Sequence, residues 1–413
     1  MTDPPSLQRR LRTGDAVAIG LGSMIGAGLF SAFAPAAAAA GTWLLAGLAL
    51  AALVAWANAS SSAQLAAQYP RSGGTYLYGR ERLGEWPGFV AGWGFVIGKT
   101  ASCAAMALTF AAYAAPPGWE RPVAALAVAA LVAVNALGVT RTALATRIIV
   151  SIVLVVLAVA VAASVSGGPA PAIGSDSAFD AYGVLQSAGL LFFAFAGYAR
   201  LATMGEEVID PARTIPRAIL GALALTVLVY AVVGASLLAA LGPDRLAEST
   251  EPLVDAAAAW PWTGPVVRVG AAAASLGALL ALIAGIGRTS LAMAREGDLP
   301  RPLARIDPVR SVPRRAEIVL GVVVIALVLT VDLRSAIGFS SFGVLVYYLV
   351  ANLSAFSQER RFRRYPRAVA VGGALGCVLL VATLPLASIL GGVAVFAVGI
   401  AYRLVRLRGA PSR

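Results

Sequence analysis

Apolar runs of 18 or more residues, each closed by a polar, glycine or arginine punctuation, recur from residue 15 to residue 405. Such runs read as bilayer-spanning helices, because about 20 apolar residues cover a hydrocarbon core about 30 Å thick. The pattern predicts twelve spans, near 15–40, 42–67, 86–115, 121–139, 146–167, 182–204, 215–241, 262–295, 314–331, 335–358, 366–386 and 388–405. The third and eighth are long enough to tilt or to continue beyond the membrane. An all-α polytopic membrane protein is the expected fold class, with residues 1–413 forming one transmembrane domain.

Two of the runs are interrupted. In the first, Gly20, Gly22, Gly26 and Gly28 fall within nine residues. Each glycine weakens a helix by roughly 1 kcal/mol relative to alanine. A freed amide in hydrocarbon finds no water, so broken backbone is tolerated only against protein or a wet cavity. The stretch therefore either offers backbone N–H groups to a solute or forms a close-packed seam of small residues. The second interruption is Phe192-Phe193-Ala194-Phe195-Ala196-Gly197-Tyr198, in span six. Spans one and six are corresponding members of two five-helix halves, 15–167 and 182–358, followed by two additional helices in 366–405. Interrupted spans at matching positions point to the binding site of an inverted-repeat transporter.

Composition strengthens the membrane reading. Only 13% of residues are charged, against about 25% in soluble domains, and the mean hydropathy is +0.82. The net charge of +12 is almost entirely arginine, and Lys99 is the sole lysine. With the N-terminus in the cytoplasm, the arginines between even and odd spans gather on the cytoplasmic side, including Arg360, Arg361, Arg363, Arg364 and Arg367. Only Arg121, Arg245, Arg268 and Arg334 fall outside. This follows the positive-inside rule and predicts a multi-pass protein of the cytoplasmic membrane with both termini in the cytoplasm. The basic excess then belongs to topology and lipid contact, with no nucleic-acid partner. Arg9, Arg10 and Arg12 precede a segment too long for a signal-peptide core, so the first span is expected to stay as an anchor.

There is no histidine, and Cys103 and Cys377 both lie inside spans. Neither a metal site, a disulfide framework nor a cofactor is expected from this. A membrane enzyme would need a catalytic constellation, and the nucleophile-elbow and phosphate-loop patterns are absent from the sequence. A channel would need a filter repeated by symmetry, which is not visible either.

Four stretches carry a family resemblance. Gly22-Ser23-Met24-Ile25-Gly26-Ala27-Gly28-Leu29-Phe30 resembles the first-helix motif of the amino acid–polyamine–organocation (APC) transporters. Phe195-Ala196-Gly197-Tyr198, followed by Glu206-Glu207-Val208-Ile209-Asp210-Pro211, resembles their sixth helix and the loop after it. Tyr69-Pro70-Arg71-Ser72-Gly73-Gly74-Thr75-Tyr76 is similar to their loop between spans two and three. Arg288 with Ala294-Arg295-Glu296-Gly297-Asp298-Leu299-Pro300 is similar to the end of span eight. The four occur in order across residues 15–310.

The resemblance implies the leucine-transporter (LeuT) fold, a 5+5 inverted repeat with broken helices 1 and 6, and secondary transport of an amino acid by alternating access. A zwitterion needs N–H donors for its carboxylate and carbonyl acceptors for its ammonium, which half-helix termini supply. Carried over by position, the amides near Ile25, Gly26, Ala27 and Gly28 would hold the carboxylate. The carbonyls of Met24, Phe193, Ala194 and Ala196 beside Gly197 would hold the ammonium, with Phe193 as an aromatic gate or an ordinary packing side chain. Thr100 and Cys103, which flank Lys99 in span three, complete the substrate-binding set.

Departures from the family pattern shape the rest. Relatives with cationic substrates carry an acid shortly after the span-six Gly-aromatic pair. Here Ala199 and Arg200 stand there, which favours a neutral, small or apolar amino acid. Arg200 is expected in the cytoplasmic half, away from substrate. Proton-coupled relatives carry a lysine in span five, where this chain has Val153; Lys99 in span three is the candidate instead. A charged lysine near mid-bilayer costs about 2.5–3.5 kcal/mol on insertion scales, and one that sheds its proton could couple proton movement to transport. The bland alternative is a structural cation bonded to broken-helix carbonyls. Sodium coupling is disfavoured, because Gly287 and Arg288 occupy the neighbourhood of the expected hydroxyl ligands, with Thr289 and Ser290 displaced. Asp15, Glu206, Glu207, Arg71, Arg288 and Arg295 are expected at the cytoplasmic mouth, as an inner gate of ion pairs or as a solvated rim. Proton symport, amino acid or amine exchange, and a transporter-like amino acid sensor remain open alternatives.

Overall fold

The computed structural model describes residues 11–71, 73–137, 143–168, 178–205, 207–307 and 312–408. Helix occupies nearly all of them. In chain order the α-helices are α1 Thr13–Met24, α2 Ala27–Ser31, α3 Phe33–Ala40, α4 Leu44–Gln68, α5 Gly74–Leu83, α6 Glu85–Ala114, α7 Glu120–Ala136 and α8 Ala143–Ser166. They continue as α9 Ala181–Phe195, α10 Ala199–Ala202, α11 Pro211–Glu248, α12 Pro252–Ala256, α13 Thr263–Arg295, α14 Arg314–Thr330, α15 Leu333–Phe356, α16 Arg367–Thr383 and α17 Leu386–Arg408. Each of the twelve apolar runs is occupied by helix, and α5 and α12 are short connectors between runs. Among the described residues, nine helical segments are long and apolar enough to cross a membrane. The runs of α7, α14 and α16 fall below that length at 17 residues each. The molecule is a multi-pass membrane protein built of helices.

At the start of helix α1 the Asp15 carboxylate accepts from the Arg12 amide at 3.0 Å. The helix ends where Ile25 (φ −78°, ψ 60°) and Gly26 (φ −114°, ψ −143°) leave the helical region. Helical backbone resumes at Ala27 and passes through Ala32 (φ −81°, ψ −20°) to Ala40. The first run is thus two half-helices joined by two non-helical residues.

Span six differs from expectation. Between α9 and α10 the chain tightens into a 3-10 turn, Ala196–Tyr198, with Ala196 at φ −64°, ψ −2° and Ala199 at φ −51°, ψ −31°. Every one of these angles stays in the right-handed region, so the second interruption is a change of hydrogen-bond register, not an unwinding. A single glycine permits this but does not demand a break; four in nine residues weaken the first run far more.

Small residues set the packing. Helices α6 and α15 meet along glycines: a Cβ on Gly343 would stand 2.8 Å from Gly98 Cα, and one on Gly94 would stand 2.8 Å from the Gly343 carbonyl. Close backbone approach of this kind drives helix association where lipid competes for apolar surface. At the arginine-rich end, Asp298 is bound by Arg403, by Arg80 at 3.2 Å and by the Tyr76 hydroxyl at 2.8 Å. Arg403 also stacks over Trp86 and Phe89 at 4.8 and 4.9 Å from the ring centroids. This knot ties α5, the start of α6, the end of α13 and the end of α17 together. At the same end, Leu11 and Val208 form a backbone bridge, so the start of α1 is fastened to the loop after α10.

Candidate functional site

The two interruptions meet. A Cβ on Gly28 would lie 2.6 Å from Ala194 Cα, and one on Gly197 would overlap the Ser23 carbonyl and stand 2.7 Å from the Met24 amide. Neighbouring backbone on both sides excludes any side chain at these positions. A cavity of about 660 Å³, measured with its open mouth, lies beside this junction and is bounded by α1, α2, α6, the α9–α10 turn and α13.

Of the residues expected to bind substrate, Met24, Gly26, Gly28, Phe193, Ala194 and Gly197 line the cavity. Ala27 and Gly28 hold the first two positions of α2, whose N–H groups have no partner within their own helix. Ile25, Ala27 and Ala196 stand next to lining residues but are not among them. Thr100 and Cys103 are not brought to the cavity: the Thr100 hydroxyl donates back to the Val96 carbonyl at 2.7 Å, and Cys103 is buried in apolar packing with Ala27 and Met106. The face of α6 that does line it is Phe95, Lys99, Ser102 and Met106. Those four recur at helical spacing, so the stripe could have been drawn from Lys99 alone.

The carbonyls of the two interruptions are already engaged. The Tyr230 hydroxyl, fully buried on α11, lies 2.6 Å from the Met24 carbonyl and 3.1 Å from that of Ala194. One proton serves two acceptors there, and the contact joins the two interrupted runs. The Lys99 ammonium donates to the Ala196 carbonyl at 3.0 Å and is 5% exposed. The Phe193 carbonyl accepts from the Ala196 amide. A carbonyl has two lone pairs, and those of Met24 and Ala196 are both engaged, since Met24 also accepts from the Gly26 amide at 2.8 Å and Ala196 also from the Tyr348 hydroxyl at 3.5 Å.

Arg200, expected in the cytoplasmic half and away from substrate, is also among the residues lining the cavity. It stands in α10, directly after the 3-10 turn Ala196–Tyr198. Thr203 and Gly285 line the same side.

Two ion pairs lie near the arginine-rich end. Asp15 pairs with Arg147 at 2.6 Å, joining α1 to α8, and Glu207 pairs with Arg288 at 3.0 Å, joining the loop after α10 to α13. Arg71 instead pairs with Glu81 at 2.7 Å. Glu206 lies outside the described residues. Among the described residues no group of three or more histidine, cysteine or acidic side chains could hold a metal.

Broken first helix, tightened sixth run and a central cavity at their junction together define a helical membrane carrier. The amino acid permease family model matches residues 11–403, and the chain belongs to that family. It is 57% identical over 407 residues to an uncharacterized transporter of Mycobacterium tuberculosis, covering 98% of this chain and 92% of that one. It is 28% identical over 383 residues to a chloroplastic cationic amino acid transporter of Arabidopsis thaliana (85% and 65% covered). A branched-chain amino acid permease of Bacillus subtilis is 25% identical over 394 residues, with 88% and 83% covered. The protein is a transporter and not an enzyme.

Proposed function

We propose that this permease carries a neutral amino acid across the cytoplasmic membrane by alternating access, with a proton travelling on Lys99. The observation that carries the reading is Lys99 itself: the chain's sole lysine lines the central cavity, 3.0 Å from the carbonyl of the span-six turn. An ammonium makes a hydrogen bond roughly twice as strong as a neutral amine does. Protonation therefore tightens the tie between α6 and the turn, and deprotonation loosens it. That is the differential contact an alternating-access cycle needs.

The substrate α-carboxylate would face the Ala27 and Gly28 amides, and its ammonium the Phe193 and Ala194 carbonyls, with those of Met24 and Ala196 available only by exchanging a bond they already accept. Met24, Phe95, Met106, Phe193 and Leu282 give the cavity apolar walls, and its described lining contains no aspartate or glutamate. A neutral side chain suits this lining. The names of the relatives include both cationic and branched-chain amino acid carriers, and the lining favours the second kind. The clustering of arginines supports a cytoplasmic position for the end bearing the Asp15–Arg147 and Glu207–Arg288 pairs. These pairs serve as the inner gate, with Phe193 closing the cavity from the other side.

Uptake into proteoliposomes, with and without a pH gradient, tests the coupling. Lys99→Ala and Lys99→Arg should abolish the dependence of uptake on the gradient while amino acid binding stays detectable. A gradient dependence that survives in both variants would remove Lys99 from the mechanism.

A further inference from the structure

We infer that Arg200 is the residue that sets charge selectivity, turning away amino acids with cationic side chains. The inference rests on the proposed amino acid site and adds a specificity determinant to it. Lys99 and Arg200 line one cavity from opposite elements, α6 and α10, and no acidic residue is among the described lining. Lys99 is committed to the Ala196 carbonyl. Among the described residues the Arg200 guanidinium makes a neutral contact in the cavity region, with the Thr203 hydroxyl accepting at 3.3 Å. The nearby described carboxylate, Glu207, is held 3.0 Å from Arg288, so its charge is already answered.

A substrate's α-carboxylate and α-ammonium cancel at the junction of the interrupted runs. The side chain is what remains, and it must share the cavity with the guanidinium. A second positive charge at about 6–10 Å, at an effective dielectric near 20, loses roughly tenfold to hundredfold in affinity relative to a neutral group of the same shape. The cost is reduced little by salt, because the cavity lies inside the protein. A missing counterion alone leaves a lysine side chain merely unrewarded. Arg200 makes it repelled, which is how specificity against a competitor is built.

L-Lysine and L-norleucine separate charge from shape, since they share a linear four-carbon side chain and differ in the terminal ammonium. The measurement is ligand-induced thermal stabilisation of the purified full-length protein, with these two and a panel of neutral, cationic and acidic amino acids. Wild type should respond to one or more neutral amino acids and not to L-lysine, L-arginine or L-ornithine. Arg200→Gln and Arg200→Glu should raise the ratio of cationic to neutral affinity at least tenfold, with Arg200→Glu the larger. Arg200→Lys, which keeps the charge, should leave the ratio near the wild-type value. Wild-type binding of L-lysine as tight as that of neutral amino acids would overturn the filter, and so would an unchanged ratio in Arg200→Gln and Arg200→Glu. Should those variants not fold, the wild-type ratio and Arg200→Lys still decide. If no amino acid of the panel stabilises wild type, the underlying site reading fails instead, which is a separate result.

Discussion

Replacing Asp298 by asparagine should destabilise the protein far more than any exposed ion pair does, and the effect should depend on Arg403. The Asp298 and Arg403 side chains are each 5% exposed, and Arg80, the other cation on Asp298, is 20% exposed. Asparagine keeps the shape but leaves the Arg403 guanidinium with only Glu85, 3.3 Å away and 68% exposed. Breaking a buried pair by removing one partner costs about 3–5 kcal/mol, because the survivor is a buried uncompensated charge. Partial compensation by Glu85 places Asp298→Asn at the lower end, about 3 kcal/mol. Arg403→Met in the same background removes that stranded charge and keeps an apolar chain against Trp86 and Phe89. The double variant should recover most of the loss. The assay is the apparent melting midpoint of detergent-solubilised protein, followed by gel filtration after heating, for wild type, both single variants and the pair. Additive shifts, with Asp298→Asn equally costly in either background, would refute the reasoning, since coupled neighbours must depart from additivity.

Gly197→Ala places a methyl against the Ser23 carbonyl and Met24 amide; overpacking typically costs about 1–3 kcal/mol, and backbone on the other side cannot rotate away. Its thermal midpoint and its amino acid-induced stabilisation should both fall, and a normal response would argue against a close junction. Tyr230→Phe removes the single hydroxyl that bridges Met24 and Ala194, at about 0.5–1.5 kcal/mol for a lost buried hydrogen bond, since Met24 keeps the Gly26 amide. Equilibrium binding should weaken in this variant while its gel-filtration profile stays monodisperse. Asp15→Asn breaks a pair whose arginine is 49% exposed. It should therefore move the melting midpoint little, since such pairs contribute about 0–1 kcal/mol; a shift as large as that of Asp298→Asn would contradict the ranking.

Much of this protein was legible along the chain. Apolar run length and arginine placement produced the helices, because in hydrocarbon the backbone must bond to itself and a helix does so within one segment. Glycine density located the break at Ile25–Gly26, since backbone propensity is a local property. Lys99 stood out from composition alone. What local pattern could not supply was the partner of each polar group. Phe192–Tyr198 looked as interrupted as the first run, yet the backbone stays right-handed through a 3-10 turn there, and Arg200, just after it, lines the cavity. Thr100 and Cys103 shared Lys99's sequence neighbourhood but not its face of α6. Asp298 and Arg403 are 105 residues apart, and nothing near either one announces the other. Propensity and hydropathy sum over neighbours in sequence, whereas a cavity lining, a buried ion pair and a shared hydroxyl exist only once distant helices lie side by side.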